Sequence, residues 1–345
     1  MRILFAAPLN GVRSGIFISN YYRSLARAAI SSGHIVALHD TQEIATSSNL
    51  PFLLRRAYSP FSGLVEGLRL MSILEVSLRS ELLRAIENFK PDVVFIYAIC
   101  AQSLKKVIRK IRKKGIKVVM WIGLNPDVLP KNVKNLICDL DCVFCYDYEY
   151  LPIYLKMNCA RVELVPMGVD IDYIDSIDNR KISKTVDVSF IGMIDDTRLK
   201  YLSNLYNIDL GIWSWDAKAK CSSLASYYRG EASGEKTINI LKGSKCSINL
   251  HREFEFSGGN YRLFEIPACK ALQFVDNKPS ISKYFVPDEE IIIFRSINDL
   301  KNKIEYYLNH EDERLKIVEN ARRRVVREHC ILDRFKRMER VLNDL

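Results

Sequence analysis

The residue types that could do chemistry crowd into positions 246 to 276, CSINLHREFEFSGGNYRLFEIPACKALQFVD. Gly258 and Gly259 lie just ahead of a stretch with helical spacing. A glycine pair there lets backbone N–H groups approach an anion, and the helix dipole favours negative charge at that end. Arg252 and Arg262 flank the loop as cationic partners, and Asn260 joins the glycines as a group that would face a diphosphate. Glu265 sits one turn inside the helix, within reach of a ribose that follows a bound phosphate. A neutral His251 could accept a proton or hydrogen-bond a sugar, while its cationic neighbour Arg252 would stabilise a departing diphosphate. An ordinary strand–loop–helix–strand unit has the same spacing, with His251 capping the loop.

These residues need a scaffold. Cys246 to Leu250 reads as a buried parallel strand, Arg262 to Lys270 as a helix with Leu263, Ile266 and Cys269 on one face, and Leu272 to Val275 as the next strand. The rest of the chain has the same alternation. Strands are expected at Arg2 to Ala7, His34 to His39, Asp92 to Tyr97, Lys117 to Ile122, Asp141 to Cys145 and Arg161 to Val165, with helices between them, notably Leu64 to Phe89 and Ala101 to Lys114. After a polar linker from Asp170 to Thr185 the pattern restarts at Asp187 to Ile191, with Gly192 at the strand end, a candidate ligand contact, then Ile208 to Trp213 and Ile291 to Phe294. Lys236 to Gly243, Ile297 to Asn309 and Glu311 to Leu342 read as helices. The fold class is α/β, two Rossmann-like doubly wound domains (residues 1–168 and 185–345), with a cleft expected where the carboxyl ends of both sheets meet. On the first domain, the loop NGVRSG offers Gly11, Arg13 and Gly15. It resembles a phosphate loop but lacks the G-x-G-x-x-G spacing of a dinucleotide site, which argues against a dehydrogenase. WIGLNPD ends in an Asn-Pro turn whose tip would overlook the cleft from the first domain and offers Asn125 as a ligand contact and Asp127 as a base or hydroxyl ligand, or as a helix cap.

The run N-x-R-x-F-E-x-x-A-C from Asn260 to Cys269 resembles the signature of CgeB-like glycosyltransferases, relatives of the retaining GT-B enzymes. The likeness continues through VDNKP, EEIIIF, YYLNHEDER and ARRRVVREHCILDRF, and NLHR around His251 is similar too. The resemblance implies a GT-B fold and transfer of a sugar from a nucleoside diphosphate donor to a glycan, lipid-linked or other acceptor, as in cell-surface polysaccharide synthesis. It implies that Glu265 holds the donor ribose. The retaining pattern has a further Glu eight positions earlier, where this chain has Ser257, so retention and inversion both stay open. A nucleotide-sugar epimerase on the same fold, or a non-catalytic sugar-nucleotide or glycan-binding protein, are the alternatives. The donor is a substrate, so no cofactor is expected, and arginines and a helix dipole can replace a metal at the departing phosphates.

Length and charge bound the rest. A chain of 345 residues with 48% hydrophobic content is enough for two cores. No leader and no membrane-spanning run is legible, and nine scattered cysteines give no disulfide framework, so a cytoplasmic protein is expected, peripheral on the membrane at most. Cys138, Cys142 and Cys145 have an iron–sulfur spacing, but two of them fall in an apolar strand and point to opposite faces. The net charge of +10 is lopsided: residues 1–170 carry 22 Lys and Arg against 14 Asp and Glu. The helix KKVIRKIRKKG, Lys105 to Gly115, puts Val107, Ile108 and Ile111 inward and seven cations outward, which suits either a solvated face or contact between Lys105 to Lys114 and an anionic membrane. Nothing resembling a nucleic-acid-binding fold accompanies the charge, so no nucleic-acid partner is expected.

Overall fold

The computed structural model describes residues 1–7, 16–40, 80–96, 101–123, 125–129, 131–177 and 186–345. The chain divides into two compact units. One comprises Met1–Tyr146, Tyr150–Val165 and Phe335–Leu345, and the other Asp147–Glu149 and Pro166–Arg334. The last eleven residues thus group with the first unit, whereas the sequence placed them in the second.

The first unit is built on β1 (Arg2–Ala7), β2 (Ile35–Asp40), β3 (Val93–Ile96), β4 (Lys117–Ile122), β5 (Cys142–Cys145) and β6 (Val162–Leu164). Their order is β2-β1-β3-β4-β5-β6, and every pair is parallel. The central strands are apolar on both faces because helices cover both sides of such a sheet, and β3 and β5 are buried throughout. Phe5 on β1 stacks on Phe95 of the adjacent β3, Phe95 stacks in turn on Phe144 of β5, and Trp121 stacks on Tyr21 with centroids 4.2 Å apart. The Trp121 indole N–H, which burial would otherwise orphan, donates to the Val165 carbonyl at 3.1 Å. Cys142 and Cys145 are free, buried members of β5, and burial pushes the Cys142 thiol pKa up.

In the second unit β7 (Val186–Ile191), β8 (Leu210–Trp213), β9 (Tyr228–Gly230), β10 (Ser244–Asn249), β11 (Leu272–Asp276) and β12 (Ile292–Phe294) form another parallel sheet, ordered β12-β11-β10-β7-β8-β9. Read from β7, that is the doubly wound order 3-2-1-4-5-6, which reverses between β7 and β10. The edge strand β9 has three residues, none of them buried, and left no apolar run for sequence reading to find.

Two departures from the expected helices have local causes. The single helix expected over Glu311 to Leu342 is two, Glu311–Glu328 and Ile331–Asn343. The break comes where the Ile331 amide donates to the Val169 carbonyl at 2.8 Å and the Val169 amide to the His329 carbonyl at 3.0 Å. The helix expected over Arg262 to Lys270 is Tyr261–Ala268, with Pro267 in its last turn. Proline has no N–H for the Leu263 carbonyl four residues back, and the Gln273 side chain on β11 donates to that carbonyl instead, at 3.2 Å.

Candidate functional site

In open parallel sheets ligands bind outside the carboxyl ends of the strands, at the point where strand order reverses. In the second unit that point lies beyond β7 and β10, which lead into the loops carrying Gly192 and His251. The helix Tyr261–Ala268 starts beside them.

Three amides set this helix start. Asn260 is its N-cap, and its side-chain oxygen accepts from the Leu263 amide at 3.0 Å. The same side chain forms a reciprocal pair with Asn249 at the end of β10, at 3.0 and 2.9 Å. Gln273 approaches Asn249 from β11 at 3.4 Å. A sequence ordering polar residues into the middle of a sheet must pair them, and here that pairing fixes the helix to the strands. Asn260, expected to face a diphosphate, has its amide spent inward.

His251 is 2% exposed. Its Nδ1 lies 2.6 Å from Asp276 Oδ1 and its Nε2 lies 3.0 Å from the Gly258 carbonyl. Both neighbours are acceptors, an arrangement satisfied in full only by a ring carrying hydrogen on both nitrogens. Burial works to raise the Asp276 carboxyl pKa, but the hydrogen bonds and charge of His251, with Lys278 at 3.8 Å, outweigh it and leave the pKa lowered. His251, expected to face a ligand, is buried with both ring nitrogens beside acceptors of the chain itself.

The glycine pair is also put to a different use. The Gly259 N–H, which an anion was expected to take, donates to Asp147 Oδ2 at 2.6 Å. A Cβ at Gly259 would lie 2.5 Å from that oxygen, and one at Gly258 (φ +120°) 2.8 Å from Lys278 Cβ. Close packing, rather than ligand approach, demands these two glycines. Ser257 is fully buried, with its Oγ 2.9 Å from Ser280 Oγ, so it is no stand-in for the missing carboxylate.

Three further charged groups lie by the ends of β7 and β10. Arg262 donates from Nε to the Ile191 carbonyl at the end of β7 (3.4 Å) and pairs with Glu265 one turn along. Desolvation lowers the Arg262 pKa to about 10, still well above neutral pH. Glu265 is 7% exposed. Arg252 is half-buried, its guanidinium over the Phe254 ring at 4.9 Å and its Nε 4.0 Å from Asp195, with no hydrogen-bond acceptor for that Nε among the described residues. Phe254 and Phe256 stand exposed on the same loop. Gly192 donates its amide to the Trp213 carbonyl at 3.1 Å.

Sequence reading missed Arg198, Asp147, Asp276 and Asn249. Arg198 is buried and donates from Nε and Nη2 to the Leu250 carbonyl (2.9 and 2.6 Å) and from Nη1 to the Met193 carbonyl (3.1 Å), tying the loops after β7 and β10 together. Burial lowers its pKa, against the charges of Glu255 and Asp195. The signal for Asp276 was a lone charge closing an apolar strand; Arg198, on an ordinary-looking surface helix, gave none.

Of the first-unit candidates, Asn125 is buried as the cap of the turn Pro126–Val128 and accepts from the Asp127 amide at 2.9 Å. The cap is therefore Asn125 and not Asp127, whose residue is exposed. Gly11, Arg13 and Gly15 lie outside the described residues. The helix Ala101–Arg112 buries Val107, Ile108 and Ile111 as expected. Four of its seven expected cations are paired, Lys105 and Arg109 with Asp139, Arg112 with Asp141, and Lys114 with Glu87. Among the described residues no group of His, Cys, Asp and Glu could hold a metal ion, and no helix is long and apolar enough to cross a membrane.

Residues 193–340 match the family described as Glycosyl transferase-like. The chain is 32% identical over 93 residues to the spore protein CgeB of Bacillus subtilis (strain 168), a stretch that is 24% of this chain and 28% of that protein. It therefore spans little more than a quarter of the curated relative it matches. Whole-chain likeness comes from solved structures. A glycosyltransferase from Rickettsia africae ESF-5 is similar at TM-score 0.67 and 14% identity, over 99% of this chain and 98% of that one. Sucrose-phosphate synthase from Thermosynechococcus elongatus reaches 0.69 at 11% identity, over 100% and 98%. Anabaena HepE in complex with UDP reaches 0.66 at 11%, over 100% of both chains. The fold is GT-B, an α/β architecture of two Rossmann-like units, and the CgeB-like resemblance of the second unit is borne out.

Proposed function

We propose that the protein is a glycosyltransferase whose second unit binds a nucleoside diphosphate sugar at the reversal point between β7 and β10. The observation that carries this reading is the convergence there of Arg252, Arg262 and Glu265, three charged side chains on a framework locked by Arg198, Asn249 and Asn260. The family match of residues 193–340 supports it, as do the similar structures of HepE in complex with UDP and with UDP-glucose.

In the transfer, the bond between the sugar's anomeric carbon and the diphosphate oxygen breaks and a bond to an acceptor oxygen forms. The acceptor proton leaves with a base, and the nucleoside diphosphate carries away the electron pair. Arg252 and Arg262 stabilise that growing negative charge. Glu265 accepts hydrogen bonds from the ribose hydroxyls, exchanging part of its pairing with Arg262 for them. His251 contributes as a buried donor behind the loop, not as the base. The arginines and the helix N-terminus provide the positive charge, so activity is expected to survive chelation of divalent metal. The acceptor would be a glycan, a lipid-linked molecule or another hydroxyl-bearing compound. Lys106 and Lys110, exposed on the basic helix, and Lys113 in the turn after it would hold the protein weakly to an anionic membrane.

A thermal-shift series with UDP, GDP, ADP and dTDP, each free and as its sugar, tests donor binding. One of them, at 100 times its dissociation constant, should add about 2.7 kcal/mol; no stabilisation by any would remove the reading. Labelled donor separates the alternatives. Turnover only with acceptor marks a transferase, turnover without acceptor an epimerase, and binding without turnover a sugar-nucleotide-binding protein.

A further inference from the structure

Asp147 is buried completely, and it belongs to the second unit through the short segment Asp147–Glu149. Its two oxygens are engaged by the Gly259 N–H at 2.6 Å and by the Tyr284 hydroxyl at 3.3 Å. The Gly258 carbonyl, which accepts from His251 at 3.0 Å, belongs to the same peptide group as the Gly259 N–H. One peptide plane is therefore held at both ends, by a ring that donates to its oxygen and a carboxylate that accepts from its hydrogen. Asp276 backs the ring at 2.6 Å, so the run Asp276, His251, peptide 258–259, Asp147 and Tyr284 is continuous. Opposite partners at the two ends polarise the amide in one sense, which strengthens both bonds. The plane cannot rotate without breaking a hydrogen bond at each end, one of them to a carboxylate. Asn260, the cap of the helix that carries Arg262 and Glu265, follows directly.

We propose that Asp147 is a positioning residue for donor binding: it clamps peptide 258–259 against His251 and so fixes the start of the helix that presents Arg262 and Glu265. This rests on the donor-site reading above. The clamp explains why position 259 is glycine, since a Cβ would strike the Asp147 carboxylate and lie 2.9 Å from the Tyr284 hydroxyl. It also explains why a carboxylate is buried where a helix start would otherwise be open to an anion. A glycine pair that looks like a phosphate cradle is occupied by the chain's own carboxylate, and the ligand charge is left to the arginines.

The test uses the full chain and UDP, or whichever nucleoside diphosphate stabilises it best. Asp147→Ala removes the acceptor and should weaken binding tenfold or more by calorimetry. Asp147→Asn keeps an oxygen for the Gly259 N–H and can donate to Tyr284, so it should stay within about threefold of wild type. In a double-mutant cycle with His251→Gln, the two losses should fall well short of adding, because both act through one peptide. Hydrogen exchange of the Gly259 amide in ligand-free wild type, which needs no variant to fold, should be among the slowest of any loop amide. Fast exchange there, or Asp147→Ala binding as tightly as wild type, would overturn the proposal. A wild type that binds no nucleoside diphosphate would instead bring down the donor-site reading, and leave the clamp to be judged by exchange alone.

Discussion

The two sheets of this protein share a plan and differ in what they bury. Each has six parallel strands, and each reverses its order beside the strand that opens the unit, between β1 and β3 in the first and between β7 and β10 in the second. Among the described residues the first unit buries four polar or charged side chains, Ser24, Asp40, Asn125 and Asp139, against seventeen in the second. Burying a polar group costs free energy unless it is hydrogen-bonded. A sheet that needs only to be stable has no use for that many, and several of those in the second unit, Arg198, Asn249, His251, Ser257 and Glu265 among them, lie by the loops that leave β7 and β10. The first unit is packed by apolar and aromatic side chains, whereas the second is also tied by hydrogen bonds that aim particular groups.

Substitution should expose that difference. The largest effect is expected at Arg198. Truncating Arg198→Ala leaves the Leu250 and Met193 carbonyls without their donors, and unsatisfied buried groups cost about 1–3 kcal/mol each. Chemical denaturation should show a loss of roughly 3 kcal/mol or more, with nucleotide binding lost as well. An Arg198→Ala protein as stable as wild type would mean that the loops hold without it.

Acid should act next. His329 is buried against Phe264 and Phe285 and donates to the Tyr284 carbonyl at 3.1 Å. Burial, helped by the Arg334 charge, lowers its pKa from 6.5 to about 4. The unfolded chain therefore takes up a proton below about pH 6.5 that the folded chain refuses until about pH 4. Its stabilising contribution is complete above pH 6.5 and is lost as pH falls towards 4, by about 3 kcal/mol at most. A stability–pH profile should slope down across that window in wild type and flatten there in His329→Gln.

Glu265→Gln keeps the shape and removes the charge, and donor affinity should fall about tenfold by calorimetry, with a smaller stability loss than at Arg198 because an amide oxygen still accepts from Arg262. The smallest effect is expected in the first unit. Asp139→Ala breaks the pairs with Lys105 and Arg109, whose side chains are 38% and 60% exposed, and pairs of that kind contribute less than about 1 kcal/mol. A larger loss at Asp139 than at Arg198 would invert the comparison between the units.

Sequence reading recovered the sheets because buried parallel strands are written as short apolar runs, and β1 and β4 match their expected bounds. It failed on β9, which buries nothing, and on the break at His329, where the chain leaves its helix for a backbone partner about 160 positions away. In the site, the residues themselves were legible but their hydrogen-bond directions were not. Asn260, His251 and the glycines looked ligand-facing because their types suit a phosphate. What spends them inward is Asn249, Asp276 and Asp147, of which Asp147 is more than a hundred residues distant. Periodicity within a segment carries no information on such partners.

The central claim is that the second unit binds a nucleoside diphosphate through charge at the ends of β7 and β10. It is tested most directly by titrating wild type and Arg262→Ala with the preferred nucleoside diphosphate and with its bare nucleoside. Arg262 is assigned to phosphate, so the substitution should weaken the diphosphate by tenfold or more and leave the nucleoside unchanged. Equal affinity of both proteins for the diphosphate, or an equal loss for diphosphate and nucleoside, would contradict the assignment.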